Sequence, residues 1–318
     1  MSSPDNLPLV SVIMPAYNTQ SYIAEAINSA LNQTYRNIEL VIYDDGSTDS
    51  TWEVINSFSD PRIRKYKEEK NQGYLKACNY LYAKSRGKYI TNQDSDDWSD
   101  PTRIEKQLAI FNTYPDIFIT GTNGYLYRNS QAKPISSYDP PSGLITDISK
   151  IFPFVPASAM FKKEVLNVVP GMNEYFNGLI AMDLYFYFQI LYRYKGYYIS
   201  ERLYYARFTV NSNTRSLGNI RKFIADDIYY LLRDQTLKTG TNWLEQQSFT
   251  ELKKFEDTLL SDKKLLSEKY RALATHYIDE GEFKVGASLL KKAFSYNPLN
   301  LNIYRSLLYI LKKRFRHK

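Results

Sequence analysis

Cysteine is almost missing from this sequence: Cys78 is the single copy in 318 residues. No disulfide within the chain and no thiolate metal cluster can form from one sulfur. Histidine is nearly as scarce, and its two copies, His276 and His317, leave the first 275 residues without an imidazole for metal binding or proton transfer. Chemistry in that stretch must come from carboxylates, hydroxyls, amides and cationic side chains. No apolar run approaches the length that crosses a bilayer, and no charged-then-apolar leader opens the chain. The expectation is a soluble or peripheral protein of the cytoplasm.

What is present is an ordinary globular balance, 43% apolar and 24% charged, with two unusual features: 29 tyrosines and a net charge of +7. Tyrosine rings suit stacking against carbohydrate or nucleobase while the hydroxyl stays wet. The positive balance admits nucleic acid, an anionic membrane or an anionic small ligand. No recognised nucleic-acid motif accompanies it, so no nucleic-acid partner is expected.

Along the first 130 residues, two periodicities alternate. Residues 10–14 form a short apolar strand, and 21–31 repeat apolar residues at helical spacing. Strands follow at 38–43, 63–66 and 88–91. Helices are expected at 50–57 with Ser50 as cap, at 73–85, and at 101–114 with Pro101 in the first turn. Residues 117–127 read as strand, 139–143 as a loop and 183–194 as an aromatic helix, within a mixed stretch that reaches about residue 205. This alternation predicts βαβ units and a mostly parallel sheet flanked by helices. From Asn219 onward only helical patterns remain, so the expected domains are 1–218 and 219–318.

Ligands of such sheets bind beyond the carboxyl ends of the strands. Polar residues crowd three of those ends. Asp94-Ser95-Asp96-Asp97 places three carboxylates in four residues, which repel unless a cation or hydrogen-bond donors compensate. A hard divalent ion bridging to a diphosphate would compensate; a solvated acidic turn that caps the next helix would leave the same trace. Asp44-Asp45-Gly46-Ser47-Thr48-Asp49 suits either a nucleoside contact or a plain turn and helix cap.

Four segments in order carry a resemblance: Val10-Ser11-Val12-Ile13-Met14-Pro15-Ala16-Tyr17-Asn18, Asn32-Gln33-Thr34-Tyr35, Val41-Ile42-Tyr43-Asp44-Asp45-Gly46-Ser47-Thr48-Asp49, and Gln93-Asp94-Ser95-Asp96-Asp97-Trp98. The chain resembles family-2 inverting glycosyltransferases of the GT-A fold over about residues 8–215. That resemblance implies a nucleotide-diphosphate sugar donor, a UDP-sugar, held by Pro15, Tyr17, Asp45, Asn71, Gly73, Asp94 and Arg207. It implies Mn2+ or Mg2+ as cofactor on Asp96. It implies Asp183 as the base that takes the acceptor proton, and Ala77, Asn79, Phe161, Gly171, Met172, Asn173 and Glu174 fit the family's approach to these sites. Three positions depart from the family: Cys78 stands where arginine is common, Met182 where a glutamate precedes the base, and Thr209 where a histidine follows Arg207.

The resemblance implies a glycan, lipid-linked or protein-linked acceptor, in surface polysaccharide or glycan assembly. A nucleotidyltransferase would want a Gly-rich basic loop after the first strand, and Ala16-Tyr17-Asn18-Thr19 is not one. The alternative of another class is a non-catalytic nucleotide-sugar-binding scaffold. Its helical tail carries tetratricopeptide-like spacing from about residue 267, through Tyr270, Ala274, Tyr277, Gly281, Gly286, Leu290, Ala293 and Pro298. The tail, with its dense basic run from Lys312 to Lys318, is a candidate for docking on a membrane or a protein partner.

Overall fold

Val10–Ala16 (β1), Ile23–Leu31 (α1), Ile38–Asp44 (β2), Thr51–Ser57 (α2), Ile63–Lys67 (β3), Tyr74–Lys84 (α3) and Tyr89–Asn92 (β4) alternate as strand and helix. β1 and β2 are buried at every position. A strand covered on both faces reads as a continuous apolar run rather than as alternation, which is why these two were plain in the sequence. β3, β2, β1 and β4 lie side by side in that order, all parallel. The register sets Ala16 beside Asp44 and Ile13 beside Asn92, so the three strands that precede the polar turns stop at one edge.

In this computed structural model residues 7–128, 131–135, 140–150, 152–208 and 219–316 are described, with side chains to residue 310. Thr209, Asn211, Ser212 and Asn213, the first residue of the 139–143 loop, and the side chains of the basic run lie outside that set. The remaining elements of the sheet are Trp98–Ser99 (β5), Ile117–Arg128 (β6), Gln131–Pro134 (β7), Gly143–Leu144 (β8), Met160–Lys162 (β9) and Lys195–Arg207 (β10), with helices Arg103–Thr113 (α4) and Met182–Arg193 (α5). β9 is antiparallel to β4 and β6, β10 runs parallel to β6, and β5 closes the far edge antiparallel to β10. This half of the sheet is therefore mixed, where the first half is wholly parallel.

Alternate side chains of β1 feed one layer: Val10, Val12 and Met14 pack with Ile23 and Ile27 of α1, Ile55 of α2 and Ile104 of α4. A second, aromatic layer joins α3 to α5, with Tyr82 at 5.5 Å ring-to-ring from both Phe161 and Phe186. One expected cap differs. Ser50 occupies the position before α2 but makes no side-chain cap bond; Asp49 Oδ1 accepts from Thr51 N at 3.0 Å and from Thr51 Oγ1 at 2.5 Å instead.

The chain divides into two compact units, Met1–Ser216 and Leu217–Lys318. Among the described residues the second unit holds helices and no strand: Ala225–Thr239 (α6), Phe249–Ser261 (α7), Lys263–Asp279 (α8), Phe283–Tyr296 (α9) and Leu301–Arg316 (α10). Its core gathers Tyr270, Ala274, Tyr277 and Ile278 of α8, Leu290 and Ala293 of α9, and Ile303 and Ile310 of α10. Gly286 lets α9 approach α8: a Cβ there would stand 2.6 Å from an Ile278 side-chain carbon. No helix among the described residues is long and apolar enough to cross a membrane.

Candidate active site

The parallel register brings the ends of β1, β2 and β4 together, and with them the polar residues of three turns. Backbone bonds lock the junction: Asp45 N donates to Ala16 O at 2.8 Å, and Gln93 N to Ile13 O at 3.0 Å. The loop after β1 is tied to the loop after β2 by reciprocal bonds. Asn18 N donates to Ser47 Oγ at 2.9 Å, and Thr48 N to Asn18 Oδ1 at 2.8 Å. Asn18 itself adopts a left-handed φ of 52°, a conformation that asparagine tolerates better than most residues. Pro15 is buried at the strand end, while Tyr17, held by this ladder, exposes 45% of its surface.

Asp45 is buried, and both of its carboxyl oxygens accept backbone N–H groups at 2.8 Å, Oδ1 from Gln72 and Oδ2 from Gly73. Burial still outweighs those two bonds and raises its proton affinity above the usual aspartate value. Each oxygen keeps a second lone pair, so Asp45 can shape the loop before α3 and accept from a ligand as well. Gly73 opens α3 with φ of +97°, which only glycine adopts without strain. Asn71 is exposed on the same loop.

The row after β4 is crowded. Asp94 Oδ1 accepts from Tyr74 Oη at 2.9 Å, and Asp94 N donates to Tyr204 Oη at 3.1 Å. Burial, then the Asp96 carboxylate, pushes Asp94 up to about 7; Tyr74 lowers it and Asp183 raises it further. Asp97 is driven well above the ordinary range, by burial first and then by Asp96 and Asp94, although Arg207 N donates to its Oδ1 at 2.7 Å. Burial and mutual repulsion outweigh the donors that Tyr74 and Arg207 supply to Asp94 and Asp97. Among the described residues no three or more His, Cys, Asp or Glu side chains enclose an ion. A cation here would take few protein oxygens and complete its shell with substrate phosphate and water, the usual habit of Mg2+.

Arg207, at the end of β10, is braced on every side. Its guanidinium lies 4.7 Å from the Trp98 ring and 4.8 Å from the Tyr22 ring. Nε donates to Asp96 O at 3.0 Å and Nη2 to Glu25 Oε2 at 2.7 Å. The planar fork thus fixes the backbone that carries Asp96. Arg207, expected from the sequence to help neutralise the diphosphate, also braces the acidic turn.

Asp183 stands in the first turn of α5 and accepts from Leu184 N at 2.8 Å. The residue before the helix, Ala181, holds a left-handed φ of 68°, which costs roughly 1–2 kcal/mol for a residue with a Cβ. Such strain is retained where a side chain must be aimed. The Asp183 charge is felt at Asp94, Cys78 and Tyr187, so the proposed base and the acidic row share one electrostatic site. Cys78, in the position where the family resemblance leads one to expect arginine, is fully buried, and burial pushes its thiol well up. No cation reaches the two carboxylates from that position. Met182, in place of the family's glutamate, is buried.

Asn79 turns elsewhere: its amide clamps Met172, donating to the carbonyl and accepting from the N–H, both at 2.8 Å. It fixes the segment that leads to α5. Tyr74, Tyr204, Tyr22 and Glu25 were not singled out in the sequence. The aromatic density of residues 195–207 is a signal that could have marked Tyr204.

The model of the family described as Glycosyl transferase family 2 matches residues 11–169, half of the chain. A glycosyltransferase of Haemophilus influenzae is 47% identical over 105 residues, 32% of this chain and 42% of the relative. The UDP-Glc:alpha-D-GlcNAc-diphosphoundecaprenol beta-1,3-glucosyltransferase WfaP of Escherichia coli is 39% identical over 123 residues, 39% of this chain and 49% of the relative. The chain thus spans less than half the length of these curated relatives. The crystal structure of S. aureus TarS 1-349 in complex with UDP-GlcNAc matches with a TM-score of 0.59 at 17% identity, covering 97% of this chain and 92% of that one. That likeness fixes the fold as GT-A with a helical C-terminal region. With ordered motifs, fold and family model in agreement, the chain belongs to glycosyl transferase family 2.

Proposed function

We propose that this protein transfers a sugar from a nucleoside-diphosphate donor, a UDP-sugar, to an acceptor hydroxyl with inversion at the anomeric carbon. The observation that carries the reading is one electrostatic site shared by Asp94, Asp96 and Asp183 at the carboxyl edge of a parallel sheet, beside the Asp45 loop. Pro15, Tyr17, Asp45, Asn71 and Gly73 would hold the nucleoside, and Asp94 would face the ribose. Asp183 would take the proton of the acceptor hydroxyl as its oxygen forms a bond to C1. The bond from C1 to the phosphate oxygen breaks from the opposite face, and the diphosphate leaves with that electron pair. An α-linked donor then gives a β-linked product. Mn2+ or Mg2+ held on Asp96 would neutralise charge on the diphosphate.

The acceptor would be a glycan, lipid-linked or protein-linked, in surface polysaccharide or glycan assembly; the diphosphoundecaprenol acceptor of the E. coli relative favours the lipid-linked form. Burial of Tyr270, Ala274, Tyr277, Leu290 and Ala293 supports reading the tail from about residue 267 as tetratricopeptide-like.

The test begins with thermal stability against a panel of nucleotide-sugars, with and without Mn2+. A ligand at 100 times its dissociation constant adds roughly 2.7 kcal/mol. Asp183→Asn should keep donor binding and cut transfer by a factor of roughly 10²–10⁴. Retained configuration in the product, read by NMR, would overturn the single displacement. Donor binding with no turnover for any acceptor would favour the scaffold.

A further inference from the structure

We propose that helix α10 lies in the surface of an anionic lipid bilayer and holds the protein there. One face of α10 is accounted for, since Ile303, Ser306 and Ile310 are buried against its own unit. The other face is apolar and open. Leu301 exposes 71% of its surface, Tyr304 45% and Leu308 60%. Their spacing of three and four residues makes them one stripe. Leu299, 87% exposed, precedes the helix, and the exposed Phe294 of α9 meets Tyr304 edge-on at 6.3 Å. The helical backbone runs on to Arg316. A contiguous apolar surface of this kind is uncommon on a protein that meets only water.

Charge selects the occupant. Residues 1–216 carry 22 basic and 22 acidic side chains, whereas residues 217–318 carry 19 basic against 12 acidic. The whole net charge therefore belongs to the helical unit. Within it, residues 283–318 contain nine lysines and arginines and no acid. Four of them, Lys312, Lys313, Arg314 and Arg316, follow the apolar stripe directly in sequence. An apolar stripe joined to cations suits a helix that lies at a lipid interface. A second copy meeting α10 through its own residues 283–318 would bring further cations and no acid, since that segment holds none. Anionic headgroups answer both the stripe and the cations.

The test uses the full chain and sedimentation with vesicles, of pure phosphatidylcholine or with about 30 mol% phosphatidylglycerol, near physiological salt. Binding to the anionic vesicles should exceed binding to the neutral ones at least tenfold and weaken as salt rises. Two variants separate the contributions: Leu301→Ser with Leu308→Ser removes apolar surface, and Lys312→Gln with Lys313→Gln and Arg314→Gln removes charge. Each should lower anionic-vesicle binding about tenfold or more without moving the melting temperature, since the apolar pair is exposed. Equal binding to both vesicle types, or unchanged binding in either variant, would overturn the proposal. So would a dimer in solution that the serine variant converts to monomer while vesicles capture neither form.

Discussion

At the amino end of β2, Glu39 is buried and fully answered. Ser11 Oγ donates to it at 2.5 Å, Arg86 N at 2.6 Å and Arg64 Nη1 at 2.8 Å. Burial alone would raise its proton affinity, yet these donors together hold it below the ordinary glutamate value. At the carboxyl end of the same sheet, burial and then neighbouring carboxylates push Asp94 up to about 7 and Asp97 well above its ordinary value. The sheet carries buried acids at both ends, lowered at one and raised at the other. A carboxylate held below its ordinary value by partners in the chain serves the fold. A cluster of raised carboxylates costs stability, and evolution retains that cost where a ligand completes the site.

The sharpest way to break the contrast is to neutralise one acid at the carboxyl end. Asp96→Asn should lower transfer by a factor of at least about 10², while melting temperature stays level or rises. Nucleotide affinity, measured by calorimetry, should lose most of its Mn2+ dependence. Full turnover in this variant would mean that the acidic row is only a solvated turn.

The matching change at the amino end should do the reverse. Glu39→Gln weakens three charge-assisted bonds and leaves Arg64 without its counter-ion, a cost of about 2–3 kcal/mol. Transfer per folded molecule should not change. The pH dependence carries its own sign: a depressed carboxylate stabilises above its unfolded value, near 4.5, and that support is lost as pH falls through its lower folded value. Urea melts of the wild type and Glu39→Gln should therefore converge in acid and separate at neutral pH.

Asp94 titrates with the opposite sign. Its folded value is raised from 3.8 to about 7, so its favourable contribution is present below about pH 4 and is lost as pH climbs toward 7. Asp94→Asn removes that loss, and should be more stable than wild type at pH 8 by on the order of 1–2 kcal/mol, with little difference at pH 4. Chemical denaturation at the two pH values measures it. A variant less stable than wild type at pH 8 would show that Asp94 is satisfied after all.

These two ends were unequally legible in the sequence. The apolar runs of β1 and β2 read as buried strands, and the rule that ligands gather at carboxyl ends put Asp45 and Asp94 at one edge of the sheet. The partners of those acids could not be read. Asp45 is held by the backbone of Gln72 and Gly73, which leaves no side-chain signature. Asp94 meets Tyr204, 110 residues away on β10. That strand was left within a mixed stretch because Glu201 and Arg202 interrupt its aromatic run where its register against β6 shifts. Ser50 stands at the cap position without a cap bond, and Asp49, one residue earlier, accepts from Thr51 N instead.

Arg207 gives the smallest effect and the finest test. If its role is to neutralise the diphosphate, a lysine should serve nearly as well, since the charge is kept. The geometry argues otherwise. One planar fork donates to Asp96 O and to Glu25 while its faces lie near Trp98 and Tyr22. An ammonium group cannot make both bonds and stack at once. Arg207→Lys should therefore lower kcat/KM about five- to tenfold, close to 1 kcal/mol of transition-state stabilisation. Glu25→Gln, which leaves the guanidinium in place but loosens it, should give a smaller loss of the same kind. Because both substitutions release the same clamp, the double variant should be little worse than Arg207→Lys alone. Additive losses in that cycle, together with an unimpaired Arg207→Lys, would return the arginine to the substrate and leave the acidic turn to hold itself.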